Sequence, residues 1–227
     1  MTLTLRAVCA GEDAVMFYLP EPVAKNYPVV LANLAKQAKK LGAIDVVPAY
    51  HSLLVTFNRR DHCADDFHVA LNAYLADNEH KNWRVTRAKT IRIPVCYEGD
   101  FAPDLASVSK QHGLSETAVI ERHLANCYRV CCLGFIPGFA FLGYVDDSIA
   151  TPRHTNPRPL VAGGSVGIAG KQTGVYPTDS PGGWNIIGRT PQRLYAPEKG
   201  LISCFGLGDR VQFYRISADE FKVWENK

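Results

Sequence analysis

Ala162-Gly163-Gly164-Ser165-Val166-Gly167-Ile168-Ala169-Gly170-Lys171-Gln172-Thr173-Gly174-Val175-Tyr176-Pro177 sets the character of the C-terminal half of this chain. Glycine loses more backbone entropy than any other residue on entering a strand, so this density implies short strands broken by positive-φ turns, bulges or close backbone approach. The same punctuation continues on either side. Residues 128–134, 160–170, 174–176, 184–187, 193–195 and 210–216 are short β-favouring runs separated by Gly and Pro. Many short strands with turn chemistry between them predict a barrel or a sandwich.

The N-terminal stretch reads differently. Residues 3–8 and 14–19 are β-favouring runs around Gly11-Glu12-Asp13, a hairpin signal. Asn26 is placed to cap a helix with Pro28 in its first turn, and Leu31, Leu34, Ala35, Ala38 and Leu41 share one face until Gly42 ends it. A β segment over residues 44–57 is interrupted by Pro48. A second helix carries Phe67, Ala70, Leu71 and Tyr74 on its inner stripe, and a last strand is expected around residues 84–94. The prediction is an α+β protein: an N-terminal α+β domain over residues 1–88 and a β-rich domain, barrel or sandwich, over residues 89–227, entered through a helical pair between Asp104 and Ala125.

Composition narrows the function. The 227 residues are 47% hydrophobic and 21% charged with a formal net charge of +3, so the chain is globular and carries no basic surface that would demand nucleic acid. Seven cysteines form an odd set without a CxxC pair, which reads as reduced thiols in the cytoplasm. No run approaches the ~20 apolar residues needed to cross a bilayer, and residues 1–10 lack the apolar core of a signal peptide. A soluble cytoplasmic protein is expected.

Several motifs match by spelling and fail on chemistry. Residues 108–124 resemble a helix-turn-helix, with Ser115 as a cap and Leu114 positioned to staple onto Val119. The second helix, however, opens with Glu116, Thr117 and Glu121, where base and phosphate contacts need donors. Gly164 to Thr173 approximates a phosphate-binding loop, but Gln172 stands where the magnesium-binding hydroxyl belongs. A glycine-rich backbone nest for an anion survives that objection. Gly163-Gly164-Ser165-Val166-Gly167 spells a nucleophile elbow, yet the last histidine, His154, precedes it. Histidines 51, 62, 68, 80, 112, 123 and 154 show no metal-ligand spacing, and no metal site is expected.

Taken in order, Leu133-Gly-Phe-Ile-Pro-Gly-Phe-Ala-Phe-Leu-Gly143, Thr151-Pro-Arg-His154, Pro157-Arg-Pro159, residues 162–177 and Ser180-Pro-Gly-Gly-Trp-Asn-Ile-Ile-Gly-Arg-Thr-Pro191 resemble the family of 5-oxoprolinase B subunits. That family is also described as allophanate hydrolase subunit 1 and includes an inhibitor of a sporulation histidine kinase. Ile93-Pro-Val-Cys-Tyr97, Pro103-Asp-Leu105, His112-Gly-Leu-Ser115 and, less specifically, residues 46–55 extend the likeness over nearly the whole chain.

The resemblance implies that the second domain is a cyclophilin-like β-barrel of carboxyltransferase type. It also implies ATP with Mg2+ bound together with a partner subunit, and the A and C subunits of 5-oxoprolinase as partners in opening 5-oxo-L-proline to L-glutamate. Regulation of a histidine kinase and a place in a urea or allophanate carboxylase system are its alternatives. Donors for charge developing on a lactam oxygen are expected among the motif residues: Ser165, Gly170, Gln172, Thr173, Gly174 and Tyr176 as ligand contacts, Arg153 and Arg189 as charge stabilisers, and His123 as an acid/base.

Overall fold

The structure is a computed structural model that describes residues 3–78, 83–85 and 88–225. It divides into two compact units, Met1–Ala88 and Lys89–Lys227.

In the first unit, β1 (Arg6–Cys9), β2 (Ala14–Tyr18), α1 (Tyr27–Lys40), β3 (Asp45–Ala49), β4 (Ser52–Thr56) and α2 (Ala64–Asp77) follow in chain order. The strands are antiparallel in the order β1-β2-β4-β3. Val15 lies opposite Val55 and Phe17 opposite Leu53, and period-two alternation sends all four to the buried face. Leu31, Leu34 and Ala38 of α1 and Phe67, Leu71 and Leu75 of α2 are buried with them.

Three readings change here. Asn26 occupies the N-cap position but makes no side-chain cap hydrogen bond, and α1 begins at Tyr27 with Pro28 in its first turn. Residues 44–57 form two strands rather than one. The chain reverses at Tyr50, which takes a φ of +48°, while Pro48 stays within β3 opposite Leu53. The strand expected around residues 84–94 forms at Thr90–Cys96 and belongs to the second unit; residues 86 and 87 lie outside the described residues, as does His80.

The second unit contains β5 (Thr90–Cys96), α3 (Leu105–His112), α4 (Glu116–Ala125), β6 (Tyr128–Leu133), β7 (Ala140–Gly143), β8 (Arg158–Val161), β9 (Ser165–Ala169), β10 (Gln172–Val175), β11 (Ser180–Gly182), β12 (Asn185–Arg189), β13 (Arg210–Ile216) and α5 (Ala218–Glu225). Seven strands close into a barrel in the order β6-β13-β5-β12-β9-β10-β7, with β7 pairing back onto β6. Closure removes the unpaired strand edges that an open sheet would present. β8 and β11 form a separate two-stranded ribbon.

Ile93, Val130, Leu142, Ile168, Val211 and Phe213 belong to one apolar cluster, into which α3 sends Leu105 and Val108 and α4 sends Val119 and Ile120. The helical pair therefore packs as structure: Gly113 ends α3 in the left-handed region, and the Ser115 Oγ accepts the Ala118 N–H. Residues 160–170 prove to be two strands, and residues 193–195 are not a strand, although Leu194 is buried in the apolar cluster. Among the described residues no helix is long and apolar enough to cross a membrane.

Candidate functional site

Two loops and the β11–β12 connection bring aromatic residues together. Phe139 meets Phe141 at 4.8 Å, Tyr176 at 5.5 Å and Trp184 at 5.6 Å between ring centroids, with interplanar angles of 64°, 74° and 89°. These are the edge-to-face arrangements that ring quadrupoles favour. The rings line a cavity of about 240 Å³, completed by Phe135, Arg153, Pro157, Pro181, Gly182 and Gly183.

Phe135 stands at its rim, 60% exposed, with a φ of +76°. A bulky residue in the left-handed region costs roughly 1–3 kcal/mol, a strain that recurs at binding sites. At Gly182 the requirement is space: a Cβ there would run into the Tyr176 hydroxyl. Burial raises the Tyr176 pKa, opposed by the Trp184 backbone N–H donating to the phenol oxygen and by the charges of Arg153 and Arg158.

Beside the cavity, polar residues from separated motifs meet at one buried carboxylate. Asp104 Oδ1 accepts from Arg158 Nη2 at 2.5 Å, and Oδ2 accepts from the Ile186 N–H at 2.6 Å. His154 Nε2 lies 3.4 Å from the same Oδ2, an ion-pair distance rather than a well-formed hydrogen bond. The His154 N–H donates to the Gly183 carbonyl, and Asn185 Nδ2 donates to the carbonyls of Pro152 and Ile168. Segment 151–158 is thereby tied to Gly183 and Asn185, the residues on either side of Trp184. Within that segment Arg158 is neutralised by Asp104. Arg153 makes no ion pair with any described residue, and its guanidinium lies 5.9 Å from the centre of the Trp184 ring.

The residues expected from sequence separate into different places. Arg153 and Tyr176 share the aromatic cavity, and Gly174 lies directly behind Phe139 and Trp184. His123 and Thr173 are fully buried instead. The Thr173 hydroxyl donates to the Gly167 carbonyl at 2.9 Å, so it accepts from His123 Nε2–H at 3.0 Å; His123 Nδ1 in turn accepts the Tyr97 hydroxyl proton at 2.9 Å. Burial lowers the His123 pKa to about 3. This is a neutral, fully satisfied core histidine with no free nitrogen for acid/base work.

Arg189 Nε donates to the Gly163 carbonyl and borders a different cavity, of about 450 Å³, with Arg193, Phe221 and Trp224. Ser165 is buried opposite Arg189, and Gln172 is half-buried opposite Gly143 and Ala169. Gly170 turns β9 into β10 at a φ of +56°, which a side chain would strain. In the first unit a cavity of about 350 Å³ is bordered by Arg6, Tyr18, Glu21 and His51.

At Gly163, Gly164, Ser165 and Gly170 the backbone donors of the glycine-rich run are already committed within the protein. The N–H of Gly163 donates to Asp179 Oδ1, that of Gly164 to the Tyr176 carbonyl, that of Ser165 to the Ala162 carbonyl and that of Gly170 to the Thr151 carbonyl, all within 3.1 Å. These groups do not fit a nucleotide phosphate. No cluster of three or more His, Cys, Asp or Glu among the described residues is placed to hold a metal ion.

Sequence reasoning passed over Asp104, His154 and Arg158, although each stands in a quoted motif, and the Phe135, Phe139 and Phe141 walls. A charged residue framed by proline in Pro103-Asp104, Pro152-Arg153-His154 and Pro157-Arg158-Pro159 was the available signal.

The family described as carboxyltransferase domain, subdomain C and D, matches residues 5–204. The B subunit of 5-oxoprolinase from Bacillus subtilis is 35% identical over 239 residues, covering 100% of this chain and 99% of that protein. The B subunit from Escherichia coli O157:H7 is 36% identical over 209 residues, covering 92% and 94%. The crystal structure of TTHA0988 superposes with a TM-score of 0.73 at 32% identity and covers 95% of this chain; this chain spans 41% of that one.

Proposed function

Because this chain belongs to the carboxyltransferase-domain family of subdomains C and D, and within it to the 5-oxoprolinase B-subunit group, we propose that it is the B subunit of an ATP-dependent 5-oxoprolinase. It acts in the cytoplasm with the A and C subunits to open 5-oxo-L-proline to L-glutamate. The observation that carries the reading is the cluster of Asp104, His154 and Arg158 beside a small aromatic cavity that Arg153 lines, in a chain that aligns over nearly its full length with proteins of that name.

A five-membered lactam is a resonance-stabilised amide, and what ATP supplies in such an enzyme is activation of its oxygen toward ring opening. The committed backbone donors at Gly163, Gly164, Ser165 and Gly170 argue that nucleotide and Mg2+ are held by the partner chains. The work left to this chain is to bind and orient the ring in a water-poor cavity. Mixing it with both partners and ATP is expected to release glutamate from 5-oxo-L-proline, and omitting it is expected to abolish release. An inactive assembled complex, or equal activity without this chain, overturns the reading.

A further inference from the structure

The aromatic cavity is apolar on its walls and carries one uncompensated positive charge. Arg158 faces Asp104, so its charge is answered within the protein. Arg153 has no such partner, and it lines the cavity beside Trp184. A guanidinium presents a planar donor fork that matches a carboxylate, and apolar surroundings strengthen that pairing. The volume of about 240 Å³ falls below the ~300–1,000 Å³ of pockets for drug-sized ligands, so it suits a small ring and not a nucleotide.

We propose that this cavity is a monocarboxylate site, in which Arg153 pairs with the ligand's carboxylate while Phe139, Phe141 and Trp184 receive a small flat ring. Resting on the function proposed above, the ligand is 5-oxo-L-proline, whose carboxylate adjoins the ring nitrogen. Arg153 is then the residue that distinguishes it from an uncharged lactam.

The test is titration of the full chain with 5-oxo-L-proline and with 2-pyrrolidinone, the same lactam without the carboxylate, followed by tryptophan fluorescence with Trp184→Phe identifying the reporter. The carboxylate is expected to bind saturably and about tenfold to a hundredfold more tightly than 2-pyrrolidinone. Arg153→Gln is expected to erase that difference without changing Tm, since Arg153 is exposed, and Arg153→Lys to restore part of it. Equal binding of the two lactams, an unaltered ratio in Arg153→Gln, or no saturable change overturns the proposal. Glutamate release by the assembled complex tests the enzymatic reading separately: an active complex with an unaltered ratio in Arg153→Gln sinks this site alone. An inactive complex in which this chain still prefers ring carboxylates through Arg153 sinks the enzyme reading and leaves the site.

Discussion

The two units bury different chemistry. Among the described residues, the first keeps its interior to Val15, Phe17, Leu53, Val55, Phe67, Leu71 and similar side chains, and ion pairs such as Arg59 with Glu12 are exposed. All ten of the described residues that are buried and polar or charged, from Asp104 to Asp209, lie in the second. An unpaired polar group in an apolar interior costs free energy, and most of these groups, such as Asp104, His123, Thr173 and Asn185, are held in hydrogen-bonded networks that fix one arrangement sharply. The difference teaches where shape is specified by volume and where by hydrogen bonding. The cavity proposed to bind ligand lies in the unit of the second kind.

Mutations that probe volume and mutations that probe polarity should therefore separate by unit. Phe67→Ala, which empties a fully buried aromatic site in α2, is expected to cost about 3–5 kcal/mol by chemical denaturation, with little dependence on pH. A cost under about 1 kcal/mol would break the description of that core. Asp104→Ala is expected to cost about 3 kcal/mol, because the buried Ile186 N–H loses its acceptor and Arg158, one-third exposed, loses its carboxylate. A variant of unchanged stability would show that the cluster beside the cavity is ornamental.

Acid supplies the next effect. His123 is held near a pKa of 3 when folded, against about 6.5 when unfolded, so between those values only the unfolded chain takes up the proton. Its contribution is complete above pH 6.5 and falls as pH drops, approaching about 1.4 kcal/mol per pH unit until protonation of the folded state near pH 3. Urea midpoints measured against pH should show this slope in the native chain and lose it in His123→Gln; an identical slope in the variant contradicts the assignment. The smallest effect belongs to Arg59→Ala, whose partner Glu12 lies on the surface of the first unit: no measurable change in Tm is expected.

Much of this architecture was legible. Gly and Pro punctuation announced a barrel or a sandwich, the family resemblance chose the barrel, and period-two and helical spacing announced the strands and helices of the first unit. What escaped had weak local signals. Ala140-Phe141-Leu142-Gly143 is too short for a periodicity, and becomes a strand because closure of the barrel pairs it with both β6 and β10.

The site was harder, since Asp104 and Arg158 are brought together by topology across 54 positions of chain and nothing in either neighbourhood announces the other. His123 was readable in part. Val119 and Ile120 stand four and three residues before it on α4, the spacing of one helix face, and an inward face makes a core histidine the natural outcome. Thr173 and Ser165 offered no such cue, because alternation is lost in strands buried on both faces.

The central claim is that the networked barrel, and not the carbon-filled first unit, holds the ligand. Hydrogen exchange of the full chain with and without saturating 5-oxo-L-proline tests it most directly. The account predicts slowed exchange at backbone amides of residues 151–158 and 182–186, with strands β1 to β4 unchanged. Protection confined to the amides around Arg6, Tyr18 and His51 would contradict it.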